Sequence, residues 1–576
     1  MASMNPSTSI RRNPSKPVRC AAAQLLLCLG ISFLLMLLLT RSSPLYPYNN
    51  WDDSNSYLSM GKSMFHGALI YRDLFDQKGP YLYFLYGLCS LVSRTTFLGV
   101  FLMEVLWGAA DLYLLQKLME LYCRPAAAVV LSPILFACMC ASKSFYWGGC
   151  AEELCLPFLL LPLYLLLRGT GRHRRDECPP AAACFAPFEI LLAGMCCGFV
   201  FCVKFTLMGF FLAFALLVAA SCRTGKEFLR LAGCFFLGTA IPMIPWMIYF
   251  AFTGGLDDWY RVYIYTNVFL YSDFGANSHG AGIGQRIYDL AKILYWLILD
   301  NVQYFAFILL GILWTSVRRG SSLTERLSLP LLFGCTFLFI YIGGAHLPYY
   351  ALPLSAFAVV GMGFVGSLPE RIAQIAKRCP LGRRGNGMPG ASDLSPKAHG
   401  SCDMTCRQQN KHQKQGGKFR LSGIAAFLAA MALSYLVIFR CSWNISFLGT
   451  SKDAVFLTKF TEDINEDRAQ GLVDSDNTTL LNIGCLDCGL YTTADIYPTC
   501  YWFQTQTLPG DEVSAQQLSY ITEGRTDYVV ARDTYPEEIF RQYELIDSFH
   551  QDLQPQAFDY YLFRRKDLGQ AKTREP

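Results

Sequence analysis

Charge is what this chain has least of. Lys, Arg, Asp and Glu make up 16% of its 576 residues against 53% hydrophobic, and mean hydropathy is +0.28. That shortage excludes a string of ordinary soluble domains and points to a polytopic membrane protein. Cys485 and Cys488 form a CxxC, but no second CxxC or neighbouring His pair accompanies them. A zinc site is therefore weakly supported, and a disulfide or a metal pair stays open. Residues 441–576 contain no glycine-rich phosphate loop and no nucleophile elbow. No internal repeat is evident, and the paired broken helices of an inverted-repeat transporter are missing.

What is present is a series of apolar runs near 20 residues, many bounded by Arg/Lys clusters. They predict about eleven helical spans, over 20–40, 97–117, 126–142, 154–168, 187–203, 206–222, 229–252, 302–317, 328–343, 347–366 and 421–440. The first is too long for a signal-peptide core and lacks a convincing cleavage site, so it is expected to be a retained signal anchor. Most of the 23 cysteines fall in spans or basic loops, where cysteine behaves as a small buried hydrophobe.

The net charge of +5 matters less than its placement. Basic clusters lie before the first span and after the fourth, sixth and eighth, and residues 367–420 hold eleven Lys/Arg against three acids. Placing all of them in the cytoplasm gives an alternation that closes, with the N-terminal tail (1–19) inside and residues 441–576 outside. The 367–420 loop is Gly/Pro/Ser/Gln-rich, and a topology determinant and linker is favoured over a nucleic-acid patch. Residues 441–576 predict a small α/β domain, with strands at 480–484, 527–531, 543–549 and 560–565 and helices near 511–522 and 536–542. Asn444 and Asn477 match the N-glycosylation pattern.

The exterior loop 41–96 carries the chemistry. Asp52-Asp53 stand directly behind the first span, where acids are costly and suggest function. Tyr57, Met60, Gly61, Met64 and Ala68 follow at helical spacing, predicting an amphipathic helix on the membrane surface, with Asp53 or Ser54 as its cap in the simpler alternative. Then DLFDQKGPYLYF (73–84) adds Asp76 and Lys78, the lysine suited to an anionic lipid head group or to snorkelling. Glu152 and Glu153 sit at the mouth of the fourth span, where they also complement the helix dipole. Lys204 marks an exterior turn in a run too long for one span, either a second phosphate contact or a snorkelling anchor. His346 in HLPYYALPL and Asp257-Asp258 are weaker candidates. The latter open a loop running through SDFGANSHGAGIG (272–284), whose glycines suit either a mobile lid or a plain connector.

A first span, an exterior Asp pair, a helix and then YRDLFDQKGPYLYFLYGL resembles the C-type membrane glycosyltransferases that use polyprenyl-phosphate sugars. Within them the chain is similar to the bacterial branch of the protein mannosyltransferase superfamily, which includes the aminoarabinose transferase acting on lipid A. The resemblance implies a transmembrane core (20–366), a last span (421–440) and a bacterial inner (plasma) membrane location. It places a catalytic Asp in the first exterior loop, usually as Asp-Glu. Here the pair is Asp-Asp, with Asp53 aligning most naturally and Asp52 as competitor. Lys78, with or without Lys204, would face the donor phosphate, and Glu152 and Glu153 would form a second acidic site. Asp76, His346, Asp257 and Asp258 remain possible substrate contacts.

The implied reaction is one inverting transfer from a polyprenyl-phosphate sugar to an acceptor hydroxyl on a protein, lipid or glycan. An Asp general base would take the hydroxyl proton and lysine would steady the departing phosphate. No cofactor and no metal site are expected, although Glu152 and Glu153 leave a divalent cation possible. The alternatives are a lipid-linked oligosaccharide flippase or another transporter, and a polysaccharide polymerase or ligase.

Overall fold

The computed structural model describes residues 15–172, 184–270, 282–318, 321–344, 346–378, 404–505, 511–553 and 556–568. The N-terminal tail to residue 14, the glycine-rich 272–281 stretch and the centre of the basic loop (379–403) lie outside the described residues.

The chain opens with α1 (Ser15–Leu39), then two helices near the bundle's end, α2 (Asp52–Phe65) and α3 (Pro80–Ser90). Six apolar helices follow: α4 (Leu98–Met119), α5 (Pro125–Cys140), α6 (Ala151–Arg172), α7 (Pro187–Phe201), α8 (Met208–Ser221) and α9 (Gly225–Thr253). After the one-turn α10 (Leu256–Trp259) and a wide π-type helix over Tyr260–Leu270 come α11 (Ile283–Asp300), α12 (Val302–Val317) and α13 (Leu323–Tyr341). A 3-10 stretch, Pro348–Phe357, runs into α14 (Ala358–Arg378), and α15 (Met404–Cys441) completes the bundle.

Local chemistry sets several of these boundaries. Proline stands at the first position of α3, α5 and α7, where its missing N–H costs nothing. Thr224 and Ser322 cap α9 and α13 by accepting from the backbone N–H of Glu227 and Glu325. Gly254, at φ 71°, ends α9 in the left-handed conformation.

Each of the eleven predicted apolar segments contains a helix. Among the described residues, seven helices are long and apolar enough to cross a membrane, or eight if α11 and α12, bent by 113°, count as one span. Three further apolar helices, Pro125–Cys140, Pro187–Phe201 and Phe205–Ser221, are shorter. The chain is a multi-pass membrane protein.

At one end of the bundle sits the C-terminal region, containing α16 (Phe456–Ala469), β1 (Leu480–Ile483), α17 (Leu490–Thr493), α18 (Glu512–Thr522), β2 (Tyr528–Arg532), β3 (Tyr543–Leu553) and β4 (Gln556–Arg565). Its sheet has the order β1-β2-β4-β3, parallel between β1 and β2 and antiparallel elsewhere. Both inner strands, β2 and β4, are residue runs expected from the sequence.

Two expectations change. Helix α2 exists, but it does not lie on a membrane surface: every residue from Asp53 to Ser63 is buried. Its polar stripe is covered by the C-terminal region, whose contacts come from residues more than 400 positions away. Asn444 is also fully buried, with its amide donating to the carbonyls of Leu39 and Tyr146 and its oxygen accepting from Arg41. A glycan could not be attached there in this fold, whereas Asn477 is exposed.

Candidate active site

Helix α2 is held between two partners, and its own sequence explains why. Asp52, Ser56, Ser59 and Lys62 recur at spacings of three and four and so share a face. That face meets the C-terminal region at each turn. Asp52 pairs with Arg532 at 3.0 Å, Ser56 bonds Gln504, Ser59 donates to Asp487 at 2.6 Å, and Lys62 donates to the Tyr491 carbonyl at 2.7 Å. The opposite face packs on the bundle. A Cβ at Gly61 would stand 2.6 Å from the Tyr83 carbonyl oxygen, so only glycine lets α2 and α3 approach this closely.

Asp53 points away from the C-terminal region. The helix begins one residue earlier, behind Trp51, and no side chain caps it, so Asp53 is not spent on capping. Its Oδ2 accepts from the hydroxyl of Tyr349 at 2.7 Å and of Tyr57 at 3.4 Å. Trp51 closes the arrangement, edge-on to both Tyr146 and Tyr349. Burial pushes the Tyr57 phenol well above its ordinary range, and the nearby negative charges of Asp53, Asp76 and Glu152 add to the rise. Tyr57 is therefore a hydrogen-bond donor held among three acids.

Two lysines approach the same tyrosines. The Lys78 ammonium is 5.9 Å from the Tyr57 ring. Lys204 is buried, ion-paired with Glu152, and lies 3.8 Å from the ring of Tyr350 and 5.6 Å from that of Tyr349. Backbone contacts bring the lysines together. Gly79 N–H donates to the Val203 carbonyl at 3.1 Å and Tyr81 N–H to the Cys202 carbonyl at 3.2 Å. This crossing is possible because residue 79 has no Cβ; one there would overlap the Cys202 carbonyl. The loop before it is also set by its backbone, with Tyr71 at φ 74° and its hydroxyl donating to the Lys78 carbonyl at 2.7 Å.

Lys78 and Lys204 line one cavity of about 200 Å³. Its other walls include Val203, Phe205, Phe339 and Ile340, with Tyr263, Asn267 and Val268 contributed by the π-type helix. Asn267 donates to the Gln77 carbonyl at 2.7 Å, tying this helix to the KGP loop. Two cations against an apolar wall, beside a carboxylate, suit a phosphate carrying a hydrocarbon tail. Asp76 is buried next to Lys78; burial raises its carboxyl pKa, and the lysine opposes that rise.

The other sequence candidates separate. Glu152 and Glu153 diverge because neighbours on a helix point about 100° apart. Glu152 faces Lys204, while Glu153 accepts from Gly149 N–H at 2.8 Å, behind a turn in which Gly148 and Gly149 both have positive φ. Asp52 is turned to Arg532; burial pushes it up to about 6 despite that guanidinium. Asp258 pairs with Arg72 and Asp257 with Arg261, away from Asp53. His346 is exposed and approaches Tyr341, whereas Tyr349 and Tyr350 of the same HLPYYALPL segment reach Asp53 and Lys204. Sequence reading also missed Glu104 and Asp111, both buried in α4. Single acids in an apolar run were the available signal.

The α2 contacts make a prediction. Asp487 accepts from Ser59 and from Gly489 N–H (2.8 Å), and burial raises its carboxyl to about 6 from 3.8. A carboxyl raised by folding contributes most stability below the unfolded value and loses that contribution as pH rises through about 6. Asp487→Asn is expected to flatten the Tm–pH curve over that window. Asp487→Ala, which strands two donors, is expected to cost about 1–3 kcal/mol. An unchanged Tm–pH curve in Asp487→Asn would remove this carboxyl from the account.

No family model matches the chain, and no curated protein matches it in sequence. Solved structures do. ArnT from Cupriavidus metallidurans bound to undecaprenyl phosphate aligns over 96% of this chain and 98% of its own, at 12% identity and a TM-score of 0.57. The same protein in the apo state aligns over 95% and 98%, at 12% identity and a TM-score of 0.53. The archaeal oligosaccharyltransferase AglB from Archaeoglobus fulgidus, in complex with an inhibitory peptide and a dolichol-phosphate, gives 13% identity over 89% and 69%, with a TM-score of 0.44. From first span to C-terminal sheet, this chain has the fold of ArnT.

Proposed function

We propose that this protein transfers a sugar from a polyprenyl-phosphate donor to an acceptor hydroxyl, at the outer face of a bacterial inner membrane. The observation that carries this is the convergence of Asp53 with Lys78 and Lys204 around Tyr57 and Tyr349, beside a cavity with apolar walls. The full-length likeness to a protein solved with undecaprenyl phosphate supports it.

In this reading eleven spans leave the N-terminus in the cytoplasm and the C-terminal region outside. The donor's phosphate sits between Lys78 and Lys204 and its prenyl chain runs along the apolar wall. Asp53 accepts the proton of the acceptor hydroxyl as that oxygen attacks the anomeric carbon from the side opposite the phosphate. The sugar–phosphate bond breaks with inversion, and the lysines take up the growing negative charge. Tyr349 and Tyr57 hold the carboxylate in place by donating to it. Glu152 orients Lys204 through their ion pair. The scheme uses no cofactor.

The test is transfer of radiolabelled sugar from a polyprenyl-phosphate donor in membranes containing the wild-type chain, with inverted product stereochemistry as the expected result. Absence of transfer from every donor, with donor translocated intact, would favour a flippase; the buried acids Glu104 and Asp111 in α4 are the feature such a protein would share. Lys78→Ala is expected to raise the donor KM and lower kcat together, because the lysine contacts phosphate in both ground and transition states. A normal KM and kcat in that variant would place the phosphate elsewhere.

A further inference from the structure

A second cavity, of about 240 Å³, lies between the start of the first loop, the 95–98 turn and the C-terminal region. It is not the donor pocket. Asn55 lines it, and Asn55 is two residues from Asp53, so about 200° round α2 and on its far side.

Its electrostatics are unusual. Arg41 and Lys452 line the cavity, and among the described residues no Asp or Glu does. Arg41 is 2% exposed and held between the rings of Trp147 and Phe447, at 3.7 and 3.5 Å. Its Nε and Nη1 donate to Asn444 and Asn50, both neutral amides, while Nη2 has no hydrogen-bond partner. Burial pulls this guanidinium down to about 9. A buried cation without a carboxylate is costly, and an anion would relieve it. Thr492 is the second unsatisfied group: fully buried, on the cavity wall, its Oγ1 also without a partner. The remaining walls are rich in hydroxyls and amides, and the position is membrane-proximal. Arg41 follows the α1 span by two residues, and Leu98, on the cavity wall, is an exposed apolar residue that opens the α4 span.

We propose that this cavity binds the phosphate-ester head group of an anionic lipid or of a soluble phosphate, with Arg41, Lys452 and Thr492 as its donors. The volume is below that of a drug-sized site and suits one head group, not an extended glycan. The guanidinium is pre-positioned by its two rings, so binding requires little reordering.

The test uses the purified full chain and reads binding, independently of any transfer. The probes are phosphatidylglycerol, phosphatidylcholine and glycerol phosphate, followed by native mass spectrometry and thermal shift. The wild type is expected to retain phosphatidylglycerol over phosphatidylcholine. Lys452→Ala and Thr492→Val, neither in the Asp53 centre, are each expected to weaken that retention about tenfold, the loss for one good phosphate hydrogen bond. Arg41→Gln is the stronger change, and the two milder variants keep the test valid if it fails to fold. Displacement of the lipid by glycerol phosphate would assign the site to the head group alone; resistance to it would assign the site to the intact lipid. Equal retention of both lipids, or unchanged binding in both milder variants, would overturn the proposal.

Discussion

Asp53→Asn is expected to lower kcat by about 10²–10⁴-fold, the usual worth of a positioned general base, with little change in donor KM or Tm. The substitution is conservative in shape. An asparagine Oδ1 can still accept from Tyr349 at the position where Asp53 Oδ2 does so at 2.7 Å, so the aromatic enclosure with Trp51 and Tyr146 is retained while the proton acceptor is lost. Asp52→Asn is the control, because it differs by one position and faces Arg532. It is expected to lower Tm and spare kcat. An Asp52 base would place an acid limb near pH 6 in the rate profile, since a base works only when deprotonated, and Asp52→Asn would erase that limb. Full activity in Asp53→Asn together with loss in Asp52→Asn would reverse the assignment.

How much of this was legible beforehand follows from the range of the interactions. The spans are local, because hydropathy over about 20 residues reports contact with lipid. The sheet strands are local too: each carries its own apolar run. The KGP loop was legible as a motif, but the reason for its glycine was not, because the backbone it crosses is at Cys202–Val203. The surface-helix expectation for α2 failed for the same reason. The expectation rested on its apolar stripe, and the partners of Ser56 and Ser59, Gln504 and Asp487, lie in a region with no sequence relation to them. In HLPYYALPL a histidine attracts attention by its chemistry, yet it is Tyr349 that reaches Asp53, from a 3-10 stretch. Helix α16 has Phe456, Phe460 and Ile464 at helical spacing, but over three turns such a pattern competes with many others.

Gly79→Ala is expected to reduce transfer by about 10²-fold or more although residue 79 touches no substrate. The methyl group would overlap the carbonyl of Cys202 and the backbone nitrogen of Val203, so no rotamer change can relieve it. The strands of chain must move apart. Overpacking of this kind costs about 1–3 kcal/mol in stability. The larger effect is geometric: the bonds from Gly79 to Val203 and from Tyr81 to Cys202 hold Lys78 beside Lys204, and separating them by about 1 Å removes one lysine from the phosphate. Lys204 cannot follow, since it is ion-paired with Glu152 in α6. The measurement is donor turnover alongside Tm, with Gly67→Ala as comparison, a site where a Cβ would meet nothing within 4 Å but φ is 107°. Gly67→Ala carries backbone strain without the crossing, so it is expected to lower Tm and keep transfer. A Gly79→Ala protein that transfers at the wild-type rate would show that the two lysines need not share one phosphate, and the donor site would then rest on Lys204, held by Glu152.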